Sequence, residues 1–256
     1  MTVATSNPAF SNDMFAGYEQ VYGAQRTTTM TVQGTAVKTF ILLAIMGATA
    51  TWSWNAIASG DIAFGVVAIS GIGGFITALI TIFKPTAAPW TAPIYAAFEG
   101  VFLGAISQVI QIKYGEKYDG VGGIVMQAVS LTGGVLCVMM FVYATRLISV
   151  TDKLRTGIVV ATGAIALVYV VSMVLRMFGF QVPLIYSSGL LGIGFSLFVV
   201  GLAAFNLLLD FDFIEKSAHH EAPKFMEWYG AFGLMVTLIW LYMEILRLLM
   251  KLADRR

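Results

Sequence analysis

Along most of the chain apolar residues run on for about twenty positions at a time before a short polar or Gly/Pro-containing break interrupts them. Seven such runs occur, at residues 38–58, 62–83, 91–112, 121–145, 156–178, 184–209 and 229–250. Each is near the roughly 20 residues that an α-helix needs to cross about 30 Å of hydrocarbon. The clearest breaks are Gly60-Asp61, "KPTAAPWTAP" at 84–93 and "FGFQVP" at 178–183, and all connections are too short to hold a second domain. The pattern predicts an all-α integral membrane protein of seven transmembrane helices in one compact bundle. Residues 1–35 form a polar N-terminal tail, 36–250 the membrane domain and 251–256 a basic C-terminal tail.

The tail is rich in Ser, Thr, Gly, Asn and Gln and lacks the charged start, apolar centre and cleavage site of a secretory signal. It reads as a mobile segment, or, through Phe10, Phe15, Tyr18 and Tyr22, as one lying on the membrane surface. Small residues recur inside the runs, in "SGIGG" (Ser70 to Gly74), "TGG" (Thr132 to Gly134) and "GLLGIG" (Gly189 to Gly194). They are expected to permit close helix contact in lipid; none follows a β-strand as a phosphate-binding loop would.

Composition agrees with the pattern: 58% of residues are hydrophobic and only 11% charged, with a mean hydropathy of +0.83. A net charge of +1 without a basic cluster outside the spans argues against nucleic acid as a partner. The single cysteine, Cys137, lies in an apolar run and reads as a small buried hydrophobe. With the N-terminus inside, the tail and inner loops hold eight basic residues (Arg26, Lys38, Lys84, Arg146, Lys153, Arg155, Lys216, Lys224) against three outside (Lys113, Lys117, Arg176). The C-terminal Arg247, Lys251, Arg255 and Arg256 run against this bias. Either the tail departs from the rule or one segment is re-entrant.

The chemistry lies in the acids. Glu244 is fifteen residues into the last run, roughly 22 Å, and Glu99 in "AFEGVFLGAIS" about 12 Å into the third, whereas Asp210 and Asp212 close the sixth. An ionisable group in hydrocarbon costs at least about 2.5 kcal/mol unless it is paired, protonated or wet, so each is a functional candidate. Each also has a plainer reading. Asp212, Glu215 and Lys216 fit a solvated helix end, and so does Asp210. Glu244 fits a pairing with Arg247 one turn on, and Glu99 beside Gly100 a hydrogen bond to a neighbouring backbone. Successive residues turn by about 100°, so only one of Asp210 and Asp212 readily points inward.

"AFEGVFLGAIS" in the third run, "LLLDFDFIE" closing the sixth, "LIWLYMEILRLL" in the seventh and "NPAFS" near the N-terminus resemble the transmembrane Bax inhibitor motif family, also called Bax inhibitor-1 or YccA-like, in its bacterial branch. The resemblance covers about residues 30–250. It implies two three-helix layers around a central C-terminal helix, and a pH-sensitive calcium leak governed by two facing acids. Asp210 takes the place of the family's sixth-helix aspartate and Glu244 that of the seventh-helix aspartate, here a glutamate with a longer reach. No arginine stands in the second run to latch the aspartate, so Arg247 or Lys84 would have to substitute.

Two carboxylates close together in a low-dielectric site cannot both ionise cheaply and titrate as a unit, which makes a proton switch of them. Hard oxygen ligands also suit Ca²⁺, so Asp210 and Glu244 are expected to hold it transiently as the permeant ion, with Glu99, Asp212 and Arg247 lining or supporting the path. The resulting expectation is a pH-sensitive calcium (cation) leak channel in a bacterial cytoplasmic membrane, with the lipid bilayer and calcium as partners and no cofactor. The alternatives are a proton-coupled secondary transporter using the same acids, or a membrane stress-response interaction protein without flux. A retinal protein needs a mid-span lysine in the seventh run and a rhomboid-type protease a serine with a membrane histidine, and neither is present. The only histidines, His219 and His220, sit in the polar "SAHHEAPK" stretch and read as a solvated pair. No enzyme site emerges.

Overall fold

In hydrocarbon a backbone satisfies its own polar groups only as a helix or a closed barrel, and the long apolar runs resolve as helices. The computed structural model describes residues 29–60, 64–115, 122–180, 185 and 187–255. Among them are seven long α-helices: α1 (Val32–Ala58), α2 (Phe64–Phe83), α3 (Ala88–Tyr114, after a 3₁₀ turn at Pro85–Ala87), α4 (Gly123–Ala144), α5 (Asp152–Met177), α6 (Leu190–His219) and α7 (Met226–Asp254). All seven are long and apolar enough to cross a membrane, so no segment needs to be re-entrant. The tail aromatics, Arg26, Asp61, Lys117 and Arg256 lie outside the described residues.

Five of the seven helices overrun their apolar runs at one end or both, whereas α2 and α4 fall within theirs. The Thr31 side chain accepts from the Gly34 amide at 2.9 Å and caps α1, so residues 32–35, expected in the tail, are helical. Thr151 caps α5 through the Leu154 amide at 3.3 Å. α5 stops where the left-handed Gly179 (φ 83°) lets the Phe180 amide reach back to the Leu175 carbonyl at 3.0 Å. α6 continues to His219, so Asp210 and Asp212 stand inside a helix rather than at its end. α7 reaches Asp254, so the expected tail from residue 251 is mostly helix.

The described residues divide into two compact units, one within 29–112 and 212–236, the other within 113–211 and 237–255. In the first, α1 and α3 approach through glycine. A Cβ at Gly104 would collide with the Ala50 carbonyl, one at Gly100 with Thr49 and Met46, and Ser53 donates to the Val101 carbonyl at 2.8 Å. Glycines of "SGIGG" on α2 receive rings from α3: Phe102 packs on Gly71 and Phe98 on Gly73. The expectation of close packing therefore holds for "SGIGG". It fails for Gly133, Gly134 and Gly194, which have open space around them among the described residues. Near the start of α7, Tyr95 packs edge-on against Phe232 at 5.0 Å.

The second unit has a core of Ile158, Ile165, Val199, Leu202 and Leu209, with Tyr169, Phe195 and Trp240 packed on it. Asn206 is buried there and donates to Thr162 Oγ1 at 2.9 Å, a polar tie between α5 and α6. Cys137 is exposed on a lipid-length helix, contrary to the buried position expected for it. α7 is the most enclosed helix: 67% of its apolar window is buried, against 17–44% for the other six.

Gly104→Ala should force α1 from α3 and lower the detergent-solubilised melting temperature, by overpacking worth about 1–3 kcal/mol. Gly134→Ala, which meets open space, should leave it unchanged; equal shifts for the two would show that the α1–α3 contact does not depend on Gly104.

Candidate functional site

Toward its C-terminal end α7 carries Glu244, Arg247 and Lys251 on one face. Glu244, 1% exposed, accepts from Arg247 Nη1 at 2.8 and 2.9 Å through its two oxygens. The spacing of three residues puts both side chains on the same side of the helix. The Tyr169 hydroxyl of α5 donates to Glu244 Oε1 at 2.9 Å and accepts from Arg247 Nη1 at 2.6 Å, and the guanidinium lies 4.9 Å from the Tyr169 ring centroid. The ion pair is internal to α7 and moves with it. What ties it to a neighbouring helix is Tyr169.

Arg247, expected with Lys84 as a substitute latch for the sixth-helix aspartate, pairs instead with Glu244 on its own helix. Lys84 is exposed beside the 3₁₀ turn. Tyr169 was not among the expected residues. The only trace of it in the sequence is one tyrosine within the apolar run of α5.

Asp210 is likewise 1% exposed. It engages other groups, but no hydrogen bond joins it to Glu244, whose partners are Tyr169 and Arg247. The register of α6 and α7 explains why. Lys251 donates to the Gly192 carbonyl and to Ser196 Oγ, which puts it level with residues 192–196 of α6. Glu244, seven residues back on α7, is then level with about residue 201 in the antiparallel helix, and Asp210 lies about 13 Å further along the axis. By this register the two carboxylates sit at different heights along the helices.

The other acids belong to the first unit. Asp212 is 6% exposed and bonds Lys216 at 2.8 Å one turn on, so it is buried and paired, which corrects the solvated helix end expected for it. Glu215, His219 and His220 fit that reading better: Glu215 is half-buried, the histidines are exposed, and His219 Nε2 lies 3.8 Å from Glu215. Glu99 is half-buried, bonds the Tyr95 hydroxyl one turn back and lies against Gly74, in place of the backbone partner expected for it. Among the described residues no three His, Cys, Asp or Glu side chains group closely enough to hold a metal ion. Any calcium at Asp210 or Glu244 would have to complete its shell with backbone oxygens and water.

Comparison with known families places the chain. The sequence profile of the family described as Bax inhibitor 1 like matches residues 7–254, nearly the whole length, and the chain belongs to that family. No curated protein and no solved structure matches it.

Tyr169→Phe keeps the ring over Arg247 and removes the hydroxyl between α5 and α7. It should lower stability by about 1–2 kcal/mol, read from thermal unfolding in detergent. Tyr169→Leu, which also loses the ring contact, should cost more. A Phe variant as stable as the parent would show that the hydroxyl does not fasten α7 to α5.

Proposed function

We propose that this chain is a pH-sensitive cation leak channel, able to pass calcium, governed by the carboxylates of Asp210 on α6 and Glu244 on α7. One observation carries the reading: both carboxylates are 1% exposed inside helices of membrane length, where an acid without a task is a cost. Such groups supply the hard oxygens that attract Ca²⁺, and each changes charge with pH.

The contacts of Glu244 suggest how pH acts. Protonating Glu244 neutralises the partner of Arg247, and the guanidinium loses the attraction that holds it between the carboxylate and Tyr169. The C-terminal part of α7 is then freer to shift against α5. Acid favours leak in this scheme, the direction that the family resemblance also implies. Asp210, about 13 Å away along the axis, acts as a second station with its own proton and its own attraction for cations. The bias of eight basic residues to three supports a cytoplasmic N-terminus, and the family resemblance a bacterial cytoplasmic membrane.

Calcium entry into liposomes containing the purified protein should rise toward acid pH. Glu244→Gln and Asp210→Asn should each flatten part of that rise. Groups this far apart act nearly independently, so the double variant should show the product of the two single effects. Asp212→Asn should leave the profile close to that of the parent. If both single variants keep the parental pH profile, the gating role is wrong; uptake that tracks an imposed proton gradient instead of local pH would identify a proton-coupled transporter.

For orientation, a membrane-impermeant amine reagent applied to intact cells should modify Lys113, and modification only after the cytoplasm is opened would reverse the assignment.

A further inference from the structure

We propose that Lys251 sets how readily divalent cations pass relative to monovalent ones at the C-terminal end of α7, an inference that rests on the leak reading above. Lys251 is 5% exposed, and its ammonium donates to two neutral oxygens, the Gly192 carbonyl and Ser196 Oγ, both at 2.8 Å. Among the described residues no carboxylate bonds it. Glu244, two turns back, is engaged by Arg247, and Asp254 accepts from the Tyr114 hydroxyl at 3.2 Å.

Burying an ammonium against neutral partners is expensive, and an apolar side chain would fill the same space without that cost. A cation in the last turn suits the negative end of α7. That accounts for a lysine on the surface there, not for one turned inward onto the first turn of α6, the positive end of that helix. Lys251 also lies one turn beyond Arg247 on the same face. The charge of Arg247 is matched by Glu244; that of Lys251 is not matched by any acid it bonds. Between Glu244 and the last turn this face therefore carries one positive charge that no acid bonds, Asp254 one turn further on being held by the Tyr114 hydroxyl. Coulomb repulsion from such a charge is twice as large for a divalent as for a monovalent ion, so Lys251 weights the leak toward monovalent cations.

The test measures K⁺ and Ca²⁺ flux from the same proteoliposomes at the pH of greatest leak. Lys251→Met should raise the Ca²⁺-to-K⁺ flux ratio about tenfold, the size of effect expected of one unit charge at about 10 Å in a medium of intermediate dielectric. Lys251→Gln keeps a hydrogen-bond donor near Ser196 and should move the ratio the same way if the Met variant does not fold. Lys251→Arg keeps the charge and should keep the parental ratio. A structural staple would change the amount of folded protein and leave the ratio alone, so flux that persists in the Met or Gln variant at the parental ratio overturns the proposal. Absence of flux for either ion from every variant at every pH rejects the leak reading itself, and this inference with it.

Discussion

A carboxylate inside hydrocarbon has to find its counter-charge within the protein, and Glu244 finds it on its own helix. Arg247, three residues on, pairs with it, so the Coulomb attraction within the pair does nothing to hold α7 against its neighbours. That task falls to the Tyr169 hydroxyl, which serves both members of the pair. The division matters for movement. Pulling an ion pair apart in a buried site costs about 3–5 kcal/mol, whereas giving up a hydrogen bond costs about 1–3 kcal/mol. α7 can change its position against α5 at the smaller cost, because its charges travel together as a neutral unit.

The start of α7 is built the opposite way. Glu227 is fully buried and draws its partners from outside the helix. The Thr31 amide and hydroxyl reach it at 3.0 and 2.9 Å, Lys224 at 2.8 Å, and Lys38 of α1 completes the set while also lying 5.6 Å from the Trp228 ring centroid. Gly34 is required beside it, since any Cβ there would run into the carboxylate. The Met30 amide bonds the Ala222 carbonyl at 2.7 Å, so the segment leading into α1 is fastened to the loop leading into α7. Here charges on different segments pair with one another, and separating the segments means separating the charges. The start of this helix is anchored by ion pairs, whereas its further half is held by hydrogen bonds: Tyr169 on the Glu244–Arg247 pair, Lys251 on Gly192 and Ser196, and Tyr114 on Asp254. In the proposed leak, only that half is cheap to move.

The number and type of elements were legible because roughly twenty uninterrupted apolar residues admit few structures in a bilayer. Helix ends were less legible, because polarity was taken as the end of a helix. The run of acids and Lys216 after Leu209 looks like an exit into water, yet Asp212 and Lys216 satisfy each other one turn apart and the helix continues through them. Lys251 was assigned to a basic tail for the same reason, two arginines following it closely, although it is buried. Glu244 and its pairing with Arg247 were readable because the partner is three residues away. Tyr169 was not, because its partner lies 75 residues away and nothing local marks it. Glycines divide likewise: Gly104 packs and Gly134 does not, a difference set by what faces each one rather than by its own neighbours in sequence.

The stagger of α6 against α7 changes what a two-acid switch means here. Two carboxylates in contact would compete for one proton and titrate as a pair. An axial offset of about 13 Å between Asp210 and Glu244 leaves an interaction of about 1 kcal/mol at an effective dielectric of about 20. Arg247 reduces this further, since Asp210 senses an ion pair, effectively a dipole, in place of a bare charge while that pair is closed. In the proposed leak the two acids are therefore coupled only weakly, each governed by its own surroundings rather than by a shared proton.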